Sequence, residues 1–80
     1  MQTNYATLRA LMNARIKVLG PTVVYGREIA GYVRSANPDN RIFTLVDDEG
    51  GEYPAGFGVT LLLADEGEAP RLAEELAAGP

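Results

Sequence analysis

Five cations and four aromatic rings interleave through the middle of this chain: Arg15, Lys17, Arg27, Arg34 and Arg41 with Tyr25, Tyr32, Phe43 and Tyr53. Cationic side chains neutralise phosphates and flat rings stack on bases, so the mixture suits a nucleic-acid or nucleotide surface. The same cations equally suit solvated strand faces paired with acids, and that reading stays open beside the first. Other runs carry less chemistry. Asp47-Asp48-Glu49-Gly50-Gly51-Glu52 crowds carboxylates but lacks the alternating ligands and final bidentate Glu of a calcium loop, so it reads as a solvated hairpin turn. Gly56-Phe57-Gly58 lacks the third glycine of a dinucleotide cradle and leads into a strand, where such cradles open a helix. The sequence has no His and no Cys, and Ser35 is its only serine, so no nucleophile has an imidazole beside it. A non-catalytic protein without metal or cofactor is expected.

The formal net charge of −4 hides a split. Residues 1–46 sum to +4 and residues 47–80 to −8. Such asymmetry suits a polyanion ligand for the front, a basic protein partner for the acidic back, or pairing of fronts with backs between copies. The longest apolar run, residues 59–64, falls far short of the ~20 residues that span a bilayer. With no leader-like N-terminus either, a cytoplasmic location without membrane contact is expected.

The elements that must position these residues are short. Tyr5, Leu8, Leu11 and Met12 recur at helical spacing and predict a helix over residues 4–14, capped by Thr3 or Asn4. From Arg15 the period drops to two. Ile16 and Val18 alternate with cations up to a bend at Gly20-Pro21, and Thr22-Val23-Val24-Tyr25 then reads as extended. After a turn at Gly26-Arg27, residues 28–35 alternate Ile29, Gly31 and Val33 on one face with Ala30, Tyr32 and Arg34 on the other. Gly31 predicts strong bending there. Asn37-Pro38-Asp39-Asn40 predicts a turn, and residues 41–47 a strand with Phe43 and Leu45 on one side. Glu52-Tyr53 predicts a short strand ended by Pro54, and residues 59–64 a last strand. Pro70, Leu72 and Leu76 suggest a short tail helix ending near Gly79, either docked or frayed. Residues 1–64 thus read as an N-terminal helix and a five-stranded small barrel, and residues 65–80 as an acidic tail with a short helix.

The helix-then-five-strands order, the run Leu8-Arg9-Ala10-Leu11-Met12-Asn13-Ala14-Arg15-Ile16-Lys17-Val18, and Gly26-Arg27-Glu28-Ile29-Ala30-Gly31-Tyr32-Val33 with Val24, Leu45 and Asp47 around it resemble the Sm-like, Hfq-like small β-barrels over residues 8–63. An SH3-like barrel is the alternative. The resemblance implies a homo-oligomeric ring in which the fourth strand of one copy pairs with the fifth of the next. Tyr53, Phe57, Val59, Leu61 and Leu63 would then lie at the interface. It aligns Tyr53-Pro54-Ala55 with a family segment that carries a Lys-His pair toward RNA, and that basic pair is absent here. The loop over residues 37–40 is about one residue longer than the family's and contains Pro38.

The expected function is a regulatory small-barrel protein that binds RNA or a nucleotide-type ligand. Arg34, Asn37, Asp39, Asn40 and Arg41 would form the ligand loop, with Tyr53 nearby as a stacking platform. The alternatives are a protein-interaction module of phage or mobile-element type, docking on host machinery through its acidic half, and a structural assembly subunit.

Overall fold

Asn4 starts the first helix. Its side-chain oxygen accepts the Thr7 N–H and the Thr7 hydroxyl accepts the Asn4 N–H, both at 2.9 Å, so two otherwise orphaned donors are satisfied reciprocally. The computed structural model describes residues 2–65, 67 and 69–77. Helix α1 (Tyr5–Ala14) buries Leu8, Ala10, Leu11 and Ala14 and ends at Arg15, whose left-handed φ of 53° turns its N–H back onto the Leu11 and Met12 carbonyls. Ile16 and Val18 are buried as their alternation predicts, although β1 begins only at Val18 (Val18–Gly20).

Thr22-Val23-Val24-Tyr25 is not extended. It forms a one-turn helix, α2 (Thr22–Tyr25), bounded by Pro21 and by left-handed Gly26 at φ 70°. The chain has to reverse here, because Gly20 pairs with Ile29 across an antiparallel ladder. The turn also swings Tyr25 over β4 (Glu52–Gly56), where its hydroxyl donates to the Pro54 carbonyl and its ring meets Tyr53 edge-on at 5.3 Å. Those contacts override the β preference of a β-branched run.

Strands β2 (Ile29–Asn37) and β3 (Ile42–Asp47) form the longest ladder. Ile29 and Val33 of β2 face the core with Phe43, Leu45 and Ala55, while Tyr32 and Arg34 face outward. The irregularity in the ladder falls at Arg34, between Val33 and Ser35, rather than at Gly31. Gly31 serves a close approach instead: a Cβ there would stand 2.3 Å from the Val46 carbonyl oxygen. Strand β4 runs through Pro54 instead of stopping there, since an outer strand needs no inward donor at that position.

The last strand is shorter than expected. Only β5 (Leu62–Leu63) pairs with β1, because three-residue β1 offers it just Leu19 and Val18. The stretch before it is held by the N-terminus: Gln2 bridges Thr60, Thr3 N–H donates to the Val59 carbonyl at 3.2 Å, and Gly58 N–H to the Thr3 carbonyl at 3.0 Å. Leu61, expected at an interface between copies, is buried in the core of the single chain. The five strands make one antiparallel sheet in the order β4-β3-β2-β1-β5, and among the described residues no ladder joins β4 to β5.

Helix α3 (Ala69–Ala77) packs on α1 and buries Leu72 in the common core, so the tail docks. The Leu76 side chain and Gly79 lie outside the described residues. Among the described residues no helix is long and apolar enough to cross a membrane.

The Gly31 contact generates a prediction. Gly31→Ala forces a Cβ against the Val46 carbonyl and prises β2 from β3, at a cost of about 3 kcal/mol, the upper end for overpacking. Urea unfolding read by circular dichroism checks it. A midpoint unchanged from wild type contradicts the close-approach role.

Candidate functional site

The residues expected to form one ligand loop lie in three places. The β2–β3 turn holds four of them. Asn37 Oδ1 accepts the Asp39 N–H at 2.9 Å and Asn40 Oδ1 accepts the Ile42 N–H at 3.1 Å, so both amide oxygens serve the turn itself. Asp39 is exposed within the turn, and Arg41 is exposed with a left-handed φ of 55°. The Arg41 carbonyl accepts the Phe57 N–H at 2.9 Å, which stitches this turn to the connection after β4. A cleft of about 440 Å³ opens at that junction, lined by Thr3, Asn4, Tyr5, Pro38, Arg41 and Phe57. Thr3 is buried there with its hydroxyl satisfied, donating to the Val59 carbonyl and accepting the Gly58 N–H, both at 2.9 Å. Phe57 leans on core Phe43 with ring centroids 6.5 Å apart.

Arg34 belongs to a different cleft. It sits at the β2 irregularity on the outer face of the sheet, with its guanidinium 2.6 Å from Glu52. Together with Arg15, Tyr32, Asn13 and Met12 it lines a space of about 450 Å³ beside the end of α1. Tyr32 is 42% exposed, and Arg15 has no ion-pair partner among the described residues. Two guanidiniums, a phenol ring and an amide therefore meet in one place. Arg15 and Tyr32 were visible in sequence only as members of the interleaved series. Nothing in the local pattern shows that the end of α1 folds back beside β2, because that contact spans two elements.

Tyr53 is not near the β2–β3 turn. It pairs with Leu45, three residues from Ile42 where β3 leaves that turn, a separation of ~10 Å along the strand. The ring is half-buried and committed to neighbours: it meets Tyr25 edge-on, the Arg27 guanidinium lies 6.0 Å from its centroid, and Arg27 Nη2 donates to its oxygen at 3.2 Å. Its own hydroxyl donates to Asp47 Oδ2 at 3.0 Å. Asp47 Oδ1 accepts the Gly51 N–H at 2.7 Å and the Glu49 N–H at 3.0 Å. The acidic run is thus the β3–β4 hairpin turn, organised around the Asp47 carboxylate.

These contacts set the local titrations. The Gly51 N–H, helped by the Tyr53 hydroxyl and the Glu49 N–H, holds the Asp47 carboxyl below the usual carboxylate range, against a smaller opposing effect of desolvation. Donation to that carboxylate raises the Tyr53 phenol above its ordinary value, with desolvation in support. Asp48, 2.8 Å from Lys17, raises the lysine in the same way. Both ion pairs join the basic front of the chain to its acidic back. Arg15 and Arg41 stay outside such pairs among the described residues, and each lines a cleft.

A pH experiment follows from the Asp47 hub. A depressed carboxyl stabilises the fold above the unfolded value of about 4, and that contribution is lost as pH falls through the lower folded value. A raised phenol stabilises below about 10, and that contribution is lost as pH climbs through the higher folded value. Asp47→Asn is expected to lower Tm at neutral pH and flatten its fall below pH 4, and Tyr53→Phe to flatten the alkaline fall. Thermal melts across the pH range check both; variants with the wild-type acid and alkaline slopes contradict the assignment.

No protein-family model, no curated protein and no solved structure matches the chain.

Proposed function

We propose that this chain is a non-catalytic, regulatory binding module that takes single-stranded RNA or a nucleotide-type ligand on its basic and aromatic outer surface. The observation that carries the reading is the meeting of Arg15, Tyr32, Arg34 and Asn13 around one cleft. Tyr32 supplies a stacking face, the two guanidiniums bind phosphate oxygens, and Asn13 offers a donor and an acceptor to a base edge. The Arg34–Glu52 pair is exposed on both sides and holds Arg34 by no more than about 1 kcal/mol, so a phosphate can displace the carboxylate. The Arg41 and Tyr5 cleft extends the same chemistry around the β2–β3 turn, where Arg9 also lies 5.7 Å from the Tyr5 ring.

The sheet order supports an Sm-like reading of the fold and a homo-oligomer. Strands β4 and β5 are the outer strands, which is what pairing of one copy's fourth strand with the next copy's fifth requires. Such a joint is short. Pro54 has no N–H and its carbonyl is taken by Tyr25, while residues 2 and 3 cover the segment before β5. Half-buried Tyr53, Phe57, Val59 and Leu63 flank these edges, and Leu61 supports them from the core.

Anisotropy titrations with labelled oligo-uridine and oligo-adenosine at two salt concentrations test the binding. Saturable binding that weakens with salt is expected, with Tyr32→Ala and Arg15→Ala each reducing affinity roughly tenfold, about one stacked base or one phosphate contact. Absence of saturable binding at low salt, or variants that bind like wild type, overturns this placement. Native mass spectrometry of the same protein reads the assembly, and a monomer at micromolar concentration removes the ring.

A further inference from the structure

Helix α2 reaches the core only through half-buried Tyr25. None of its residues is buried, Val23 is 97% exposed and Val24 52%, and the local sequence prefers a strand. The chain reversal and the Tyr25 contacts account for the helical turn, but not for two neighbouring aliphatic side chains, Val23 and Val24, that stand in water beside an apolar cleft. Beside it the outward side chain of Leu62 on β5 is 54% exposed. Between the two lies a cleft of about 470 Å³, lined on its apolar walls by Leu19, Pro21, Val23, Val59 and Leu62.

Among the described residues the only charged group lining this cleft is Glu28, and it has no ion-pair partner among them. No cation lines it. A carboxylate beside apolar walls attracts a positive group more strongly than one in open water and repels a negative one, so charge complementarity selects the occupant. The cleft is too apolar for the phosphate-bearing ligand proposed for the Arg15 and Tyr32 surface, and the two sites share no residue.

We infer that the cleft between β1, α2 and β5 docks a short segment of a partner protein that carries aliphatic side chains and one Lys or Arg. The aliphatic groups fill the space between Val23 and Leu62, and the cation sets against Glu28. This assignment is independent of ligand binding on the outer face of the sheet.

Two small probes separate the apolar and the charged parts of the claim. ¹⁵N-labelled protein is titrated with n-octylammonium and, separately, with octanoate, each below its micelle concentration, and the amides of Leu19, Val23, Val59 and Leu62 are followed. Saturable shifts at these amides with n-octylammonium are expected, with octanoate binding at least about fivefold more weakly, the range of one exposed charge contact. Glu28→Gln, at an exposed position, is expected to keep the wild-type spectrum elsewhere and to bring the two probes level. Absence of shifts at the lining amides, or equal binding of both probes by the wild type, overturns the inference. Shifts at the Leu19 and Val23 amides, which lie away from the outer β5 edge, when the protein alone is diluted also overturn it, because a second copy then fills the cleft.

Discussion

One face of the β2–β3 ladder must be kept from water, and most of the molecule is arranged to do that. Val33, Phe43 and Leu45 project from the inner face of two neighbouring strands, and an 80-residue chain has little else with which to cover them. Leu8 and Leu11 of α1 supply the cover, α3 adds Leu72, and Leu61 closes the side toward β5. Ladder and cover depend on each other, since an isolated two-stranded hairpin is marginal in water and a three-turn helix alone is no better. Gly31 makes the arrangement possible by letting β2 approach the Val46 carbonyl without a side chain between. Because α1 lies across the inner face, every polar residue of alternate parity is driven outward. That is why Tyr32 and Arg34 stand together on the surface.

The charge asymmetry of the sequence acquires a location in the same way. Lys17 beside β1 with Asp48 after β3, and Arg34 of β2 with Glu52 of β4, each bring a cation of the front half to an acid of the back half, reaching over the strand that lies between them. These exposed pairs contribute little to stability, but they lower the net field of the sheet and make it less hostile to an anion. Arg15 and Arg41 lie outside the pairing among the described residues. A net charge of −4 is therefore compatible with local basic clefts, because Asp48 and Glu52 are engaged by cations and Asp47 by its own hairpin turn.

Where the sequence could be read, one local rule governed the outcome. The Asn4 cap, the apolar stripe of α1, the alternation of β2 and β3, and the Asx-stabilised turn at residues 37–40 all depend on neighbours within a few positions. Three elements escaped because tertiary contacts decide them. The Thr22–Tyr25 turn is bent by a chain reversal and by the reach of Tyr25 to Pro54; β4 survives Pro54 because it is an outer strand; β5 is cut short by the length of β1. The expected ligand residues are divided among three places for a related reason. Residues 34–41 are close in sequence, yet the β2 irregularity puts Arg34 on a sheet face and the turn puts Arg41 at its end. Tyr53, on the other face parity, is consumed by Asp47, Tyr25 and Arg27.

Backbone strain gives an independent view of the two basic clefts. Among the described residues only Arg15 and Arg41 carry a left-handed φ without being glycine, at 53° and 55°. Each such position costs ~1–2 kcal/mol relative to an unstrained residue, and glycine would adopt it without that cost. Neither side chain recovers the cost by burial or by an ion pair among the described residues. What each gains is a place beside an exposed tyrosine, Tyr32 for Arg15 and Tyr5 for Arg41, with the guanidinium available to an anion. The left-handed backbone is itself structural, since it closes α1 at Arg15 and the β2–β3 turn at Arg41; what the fold does not dictate is that arginine, rather than glycine, stands at both positions.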